Sequence, residues 1–288
     1  MATTRITSQL NRRDVRGTGS ERATTVTTTP PPSFGGHTRR ADPSRGRVPA
    51  CLGGWYSIDY RRTVNVTEDY TGHVEPGGAA ARRTLDALTI TKVSVGPMDN
   101  NAYLLVCRAT NEALVIDAAN DYERLSDLIG HGPDRPALRT IVTTHQHADH
   151  WQALGALAGA YGADTVVHPA DADPLPVPPD ILVEHGDTIA VGEVTLEVIH
   201  LRGHTPGSIA LLYRDPQGHP HLFTGDSLFP GGVGKTTSPE NFTSLIDDVE
   251  QRIFDQLPDE TWFYPGHGDD STLGAERPKL PEWRARGW

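Results

Sequence analysis

The hexapeptide His145-Gln146-His147-Ala148-Asp149-His150 holds four potential metal ligands and follows the apolar pair Ile141-Val142 with only two threonines between. It reads as a strand delivering a ligand cluster to its own end, and the rest of the chain has to be arranged to serve it. In extended backbone, side chains two residues apart point the same way, so His145 and His147 can grip one ion. Asp149 and His150 lie where the turn into 151–161 would swing them toward a second. Histidines scattered through a polar loop are common; His-x-His-x-Asp-His behind a strand points to metal.

Three further segments share one feature. His204 in Gly203-His204-Thr205-Pro206-Gly207-Ser208, Asp226 in Thr224-Gly225-Asp226-Ser227 and His267 in Tyr264-Pro265-Gly266-His267-Gly268 each sit beside or close to glycine, at or near the end of an apolar run. Glycine there permits the close backbone approach that a tight metal cage needs. Seven ligands result: His145, His147 and His204 for one ion; Asp149, His150 and His267 for another; and Asp226, with two oxygens to bridge them. Such a set leaves room for a bridging water, which is catalytic rather than structural coordination. Asp117, ending Leu114-Val115-Ile116, is read either as a carboxylate orienting a ligand histidine from behind or as an ordinary strand-end turn residue. His200, four residues before His204, is expected to support the cluster in the same indirect way.

Residues 1–54 are rich in Thr, Ser, Arg, Gly and Pro and lack aliphatic periodicity, so they are expected to be a disordered basic tail. No apolar stretch follows their arginines, which excludes a secretory signal; the composition resembles a transit peptide, and an over-extended gene model would look the same. Residues 55–87 are expected to drape over the domain, and the folded body is expected to span 88–288. Runs at 88–95, 101–107 and 112–117, separated by turn signals, suit a β-meander. Strands are also expected at 139–143, 164–167, 194–198, 208–213, 221–224 and 261–264. Leu125, Leu128 and Ile129 give a short helix, and Trp151, Leu154, Leu157, Ala158 and Tyr161 keep helical spacing up to Gly162. Phe242, Leu245, Ile246, Val249 and Ile253 mark a third helix. Strands, helix, strands and helix again imply an α+β fold of two stacked sheets with helices outside.

The charge is unevenly placed. Of 26 basic and 37 acidic side chains, nine Arg and three acids lie in residues 1–50, leaving 17 basic and 34 acidic in the remainder. A body this acidic repels phosphate backbones, which argues against a nucleic-acid partner. No run approaches the roughly 18 apolar residues needed to span a bilayer, so no membrane partner is expected. Two cysteines, Cys51 and Cys107, are too few for a disulfide framework and fit no zinc spacing. The expected setting is a reducing one, the cytoplasm.

The four motifs His145-x-His147-x-Asp149-His150, Gly203-His204-Thr205-Pro206-Gly207, Gly225-Asp226-Ser227-Leu228-Phe229 and Pro265-Gly266-His267 resemble, in order and spacing, those of the metallo-β-lactamase superfamily. The resemblance covers roughly Leu88 to Gly274 and implies a four-layer αββα sandwich with a two-metal site at one edge of the sheets. Within that superfamily the chain looks most like glyoxalase II, the hydroxyacylglutathione hydrolases. Aspartate at 226, where the common metallo-β-lactamases carry cysteine, favours that branch. The stretch Gly231 to Thr237 imitates a phosphate-binding loop but fails it: Pro230 stands where a deviant form needs lysine, and Ser238-Pro239 interrupts the required run into a helix. In glyoxalase II the matching segment carries a cation that contacts the thiol cofactor's carboxylate, so Lys235 is implied as a substrate-binding residue. Val233 and Thr236-Thr237 depart from that pattern. Only 21 residues follow His267, where longer glyoxalase II enzymes add a helical domain, so the resemblance is to a short form. Of the remaining histidines, His168 and His185 are assigned to loops, and His37, His73, His131, His219 and His221 are expected to be solvated.

The expected cofactors are two Zn²⁺, with iron or manganese as alternatives because His/Asp sites take all three. A metal-bridging hydroxide would attack the substrate's acyl carbonyl, and Asp149 and Asp226 would serve as catalytic ligands. A thiolate leaves without a strong general acid, which favours a thioester or lactone over a peptide. The expected substrate is a small anionic thioester. Competing readings are a mononuclear iron persulfide dioxygenase, a lactonase and a non-catalytic metal-binding scaffold.

Overall fold

The computed structural model describes residues 64–130 and 135–287. The basic tail, His37 and His131 lie outside them. Eight strands, β1 (Val66–Thr67), β2 (Ala80–Thr84), β3 (Leu88–Val95), β4 (Asn100–Cys107), β5 (Glu112–Ile116), β6 (Ala137–Val142), β7 (Asp164–Val167) and β8 (Ile181–Leu182), form one sheet in sequence order. The steps from β2 to β5 are antiparallel and those from β5 to β8 parallel. Helix α1 (Tyr122–Gly130) bridges β5 to β6, and α2 (Leu154–Tyr161) bridges β6 to β7.

The second half of the chain supplies β9 (Thr188–Val191), β10 (Val194–His200), β11 (Ile209–Arg214), β12 (Pro220–Gly225), the small hairpin β13 (Leu228–Phe229) and β14 (Gly232–Val233), then β15 (Trp262–Pro265) and β16 (Ser271–Thr272). The second sheet has the order β16-β15-β12-β11-β10-β9. Its helices are α3 (Pro239–Val249), α4 (Leu273–Glu276) and α5 (Leu280–Arg286). Ser238 caps α3 by accepting the Asn241 N–H, and Pro239 occupies the first turn, where its missing N–H costs nothing.

Strand alternation decides the layering. Along β4, Tyr103, Leu105 and Cys107 face Leu196, Val198, Leu211 and Phe223 of the other sheet, whereas Leu104 and Val106 turn the opposite way onto α1 and α2. On the far side, Leu212, Leu222 and Phe263 pack against Leu245, Ile246 and Val249 of α3 and Trp283 of α5. Three apolar layers separate four layers of structure, an αββα sandwich. Each fully buried Leu, Ile or Phe contributes about 1.5–3 kcal/mol to holding them together.

Two expectations fail here. Of the 55–87 stretch, 55–63 lie outside the described residues and 64–87 do more than drape: β2 pairs along the whole of Ala81–Thr84 with β3, and β1 adds to it, so the sheet begins upstream of Leu88. Ala80 and Ala81 are buried against their neighbours, which small side chains allow and periodicity alone does not reveal. His221 is not solvated: it is 3% exposed on β12. Arg83 donates to the Tyr264 hydroxyl at 3.1 Å, and that hydroxyl lies 2.7 Å from His221 Nδ1, to which it donates in turn.

Burial, with help from Arg83 and His219, lowers the pKa of His221 to about 3. Between that value and about 6.5 the unfolded chain binds a proton that the folded chain excludes, so this contribution to stability is complete above pH 6.5 and is lost as pH falls. Going from pH 7 to pH 5 should cost about 2 kcal/mol through this residue. In urea unfolding, the loss of stability over that interval is expected to shrink by about this amount in His221→Gln; equal losses in the two proteins would refute it.

Candidate metal centre

Strands β5 and β6 run parallel in the first sheet, and β12 and β15 run parallel in the second, with β10 in the same sense as β12 because each is antiparallel to β11. Their C-terminal ends deliver Asp117, His145, His204, Asp226 and His267 to the edge of the sandwich. The 3₁₀ turn Ala148–His150 adds Asp149 and His150. Three mutually close groups result, His145/His147/His204, His145/His150/Asp226 and Asp149/His150/His267, each with its ligand atoms within 4.8 Å of one another.

Asp226 joins them. Its Oδ2 lies 3.7 Å from His204 Nε2, 3.7 Å from His267 Nε2 and 4.0 Å from His145 Nε2, while Oδ1 faces His150 Nε2 at 3.5 Å. His145 Nε2 is 3.1 Å from His147 Nδ1, and Asp149 Oδ2 is 3.3 Å from His267 Nε2. All seven residues singled out in the sequence meet here.

The outer ring nitrogens fix the tautomers. His204 Nδ1 donates to the Lys235 carbonyl at 2.7 Å, His267 Nδ1 to the Met98 carbonyl at 3.1 Å, and His150 Nδ1 to Asp117 at 2.9 Å. Thr144 gives its hydroxyl proton to Asp117 and so accepts from His145 Nδ1 at 3.0 Å. With Nδ1–H held outward, each of these four imidazoles presents an Nε2 lone pair to the centre when it is neutral. Asp117 sits behind His150 in left-handed backbone (φ 56°), and its other oxygen accepts the Thr144 N–H.

Burial and the carboxylates pull the histidines of this space in opposite directions. Burial opposes the charged form of His150, yet Asp117 and Asp226 hold its proton up to about 10. His145, buried among other histidines, is pushed well below its usual value. Burial works against ionised Asp226 and Asp149 too, but His150 beside Asp226 and the Asn100 amide on Asp149 keep both below the ordinary carboxylate range.

Two residues at the site carried no signal in the sequence. Asn100 Nδ2 donates to Asp149 Oδ2 at 2.9 Å and lies 3.3 Å from His267 Nε2, in a stretch that reads as a plain strand start. Asp171, fully buried in the proline-rich loop, accepts from Gln146 N, Thr205 Oγ1 and Gly207 N, and so ties the loop of His145 and His147 to that of His204. Nothing beside it in the chain marks it. His200, the last residue of β10, stacks its ring on His168 at 4.0 Å and donates from Nε2 to the Pro206 carbonyl at 2.8 Å, so it meets the cluster through the backbone of the loop that carries His204. Lys235 reaches the site by its backbone, while its side chain is exposed.

The sequence pattern of the metallo-β-lactamase superfamily matches residues 95–267. This chain belongs to that superfamily. The crystal structure of ETHE1 from Myxococcus xanthus superposes with a TM-score of 0.59 at 30% identity, over 68% of this chain and 84% of that one. An uncharacterised protein of Aquifex aeolicus is 30% identical over 207 residues, 66% of this chain and 94% of its own length. A hydroxyacylglutathione hydrolase of Polaromonas sp. is 33% identical over 169 residues, 58% of this chain and 62% of its own.

The residues present fit the metal ions this superfamily holds. Among the described residues, His204 Nε2 and Asp226 Oδ1 are buried and find no hydrogen-bond partner, an arrangement that costs about 1–3 kcal/mol per atom unless something else binds them. Both face the centre of the cluster, and five imidazoles with two carboxylates are a donor set for zinc, iron or manganese. Gly266 is required for the approach: a Cβ there would lie well inside contact with Asp226 Oδ1 and with the His150 ring. Among the described residues, no helix is long and apolar enough to cross a membrane.

Proposed function

We propose that this chain is a binuclear metal-dependent hydrolase acting on a thioester of a small thiol. One observation supports this above all others: a single carboxylate, Asp226, faces both ligand sets at once, through an oxygen 3.7 Å from His204 and from His267. His145, His147 and His204 would hold one ion, Asp149, His150 and His267 the other, with Asp226 shared. When bound, such ions lower the pKa of water to near about 7, supply a nucleophile at neutral pH and polarise the acyl carbonyl.

The chain's own residues set the limits of the chemistry. Asp149 and Asp226 stay ionised at neutral pH, so neither has a proton for a poor leaving group. A thiolate, with a thiol pKa near about 8.5, departs without one. Beside the centre, Val233, Gly234, Lys235, Thr236, Phe242 and Arg286 line a cavity of about 390 Å³. Lys235 and Arg286 give it positive charge, so a thiol bearing a carboxylate is the substrate class it suits.

The test is metal content per chain measured alongside turnover of a panel of acyl thioesters with charged and neutral thiol tails. Two divalent ions per chain are expected, with turnover abolished by chelation and restored by zinc, iron or manganese. His147→Ala should lower kcat/KM by roughly 100-fold or more, about 2.7 kcal/mol of transition-state stabilisation. Undiminished turnover in that variant, or oxygen uptake with a thiol persulfide in place of thioester cleavage, would overturn the proposal.

A further inference from the structure

Behind the loop that carries His267 lies a buried charge cluster whose members, Tyr70, Lys92 and Asp270, all fall outside the residues matching the superfamily pattern. The side chains of Lys92, on β3, and Asp270 are both 0% exposed and 2.7 Å apart. All three ammonium protons of Lys92 are used: one on Asp270 Oδ1, one on the Gly268 carbonyl and one on the Gly72 carbonyl, the last two at 2.8 Å. The second oxygen of Asp270 accepts the Tyr70 hydroxyl at 2.6 Å, and Asp270 N donates to the Gly72 carbonyl at 3.0 Å. The Tyr70–Gly72 segment and β3 therefore both grip the chain just after His267.

The chain just before His267 is held as well. Asn101 donates to the carbonyls of Pro265 and Gly268, each at 2.9 Å, and Tyr103 to that of Pro265 at 2.6 Å. His267 thus hangs between two pinned carbonyls. The loops of His145, His147 and His204 have a different support, Asp171. Burying an ion pair costs several kcal/mol of desolvation per ion, and apolar residues of the same volume are often as stable. What a charge cluster satisfied at every atom does supply is a fixed meeting point for three segments.

We propose that Lys92, Asp270 and Tyr70 are positioning residues for His267: through the Gly268 carbonyl they set how tightly the Asp149/His150/His267 set holds its ion, without touching that ion. This rests on the binuclear reading above. It separates the two ligand sets, because loosening the Lys92 cluster leaves the Asp171 support intact.

The experiment compares full-length wild type, Lys92→Met, Tyr70→Phe and, as a control for general destabilisation, Leu257→Ala in the distant layer against α3. Each is stripped of metal, reloaded with zinc and titrated against a chromophoric chelator, with circular dichroism recorded on every sample. Lys92→Met is expected to keep one tight ion and bind the second at least about 10-fold more weakly, the usual cost of losing a residue that orients a ligand. Tyr70→Phe, which leaves the ion pair in place, should show a smaller shift in the same single step, and it carries the test if Lys92→Met does not fold. Leu257→Ala should bind two ions as wild type does. Wild type binding two ions with both cluster variants matching it would overturn this inference alone. Wild type binding fewer than two would overturn the binuclear reading on which it rests.

Discussion

Replacing Asp226 by asparagine should lower kcat/KM by at least about 10³, roughly 4 kcal/mol, and reduce the metal held per chain. The substitution keeps the shape and removes the one carboxylate, among the described residues, whose oxygen faces His204, His267 and His145 together. Two cations a few ångströms apart repel each other strongly in a buried site, and a shared anion is what offsets that repulsion. His145, His147 and His204 remain as a neutral set able to keep one ion, so the loss should be steep in activity and partial in metal. Activity within tenfold of wild type, measured at saturating metal, would show that the carboxylate is not shared.

Gly234→Ala should be nearly as damaging although residue 234 carries no chemistry. A Cβ there would lie well inside contact with the Asp226 carbonyl oxygen and press on His204 Nδ1, and backbone cannot swing aside as a flexible side chain can. Gly234 also donates to the Ser227 carbonyl at 3.3 Å and precedes Lys235, whose carbonyl orients His204. Relieving the clash therefore moves Asp226 and His204 at the same time. The expected cost is about 2–4 kcal/mol of stability in urea unfolding, with turnover down by roughly 100-fold or more. Gly159 is the contrast: it lies in α2, exposed, with nothing within 4 Å of its added Cβ. Gly159→Ala should stabilise the protein by about 0.5–1 kcal/mol through helix propensity. If both variants unfold and turn over like wild type, close approach at residue 234 has no role.

Residues whose role shows in their neighbours along the chain were the legible ones. His145 to His150 stand behind an apolar run, and His204, Asp226 and His267 lie beside or close to glycine near strand ends, so strand and ligand could be read together. The main strands and the three longer helices followed from periods of two and 3.6. Residues whose role depends on a partner distant in sequence stayed hidden. Asp171 looks like any loop acid until Gln146 and Thr205 arrive 25 and 34 positions away. His221 looked solvated because a histidine near a turn usually is; only the packing of Tyr264 and Arg83 buries it. His200 meets the loop of His204 through the Pro206 carbonyl, a contact that spacing along the chain does not show. The strands β1 and β2 hold too little apolar surface to announce themselves.

The sequence by itself determined which atoms could bind metal and that they would sit at strand ends, because ligand chemistry and strand period are both local properties. It also determined the acidic balance of the body and the sandwich its apolar alternation requires. Only the tertiary structure decided that Asp226 faces both ligand sets, that Asp117 stands behind His150, and that a buried lysine pins the loop of His267. Those are distances between segments far apart in the chain, set by how two sheets pack and which strands run parallel, and no single stretch contains them.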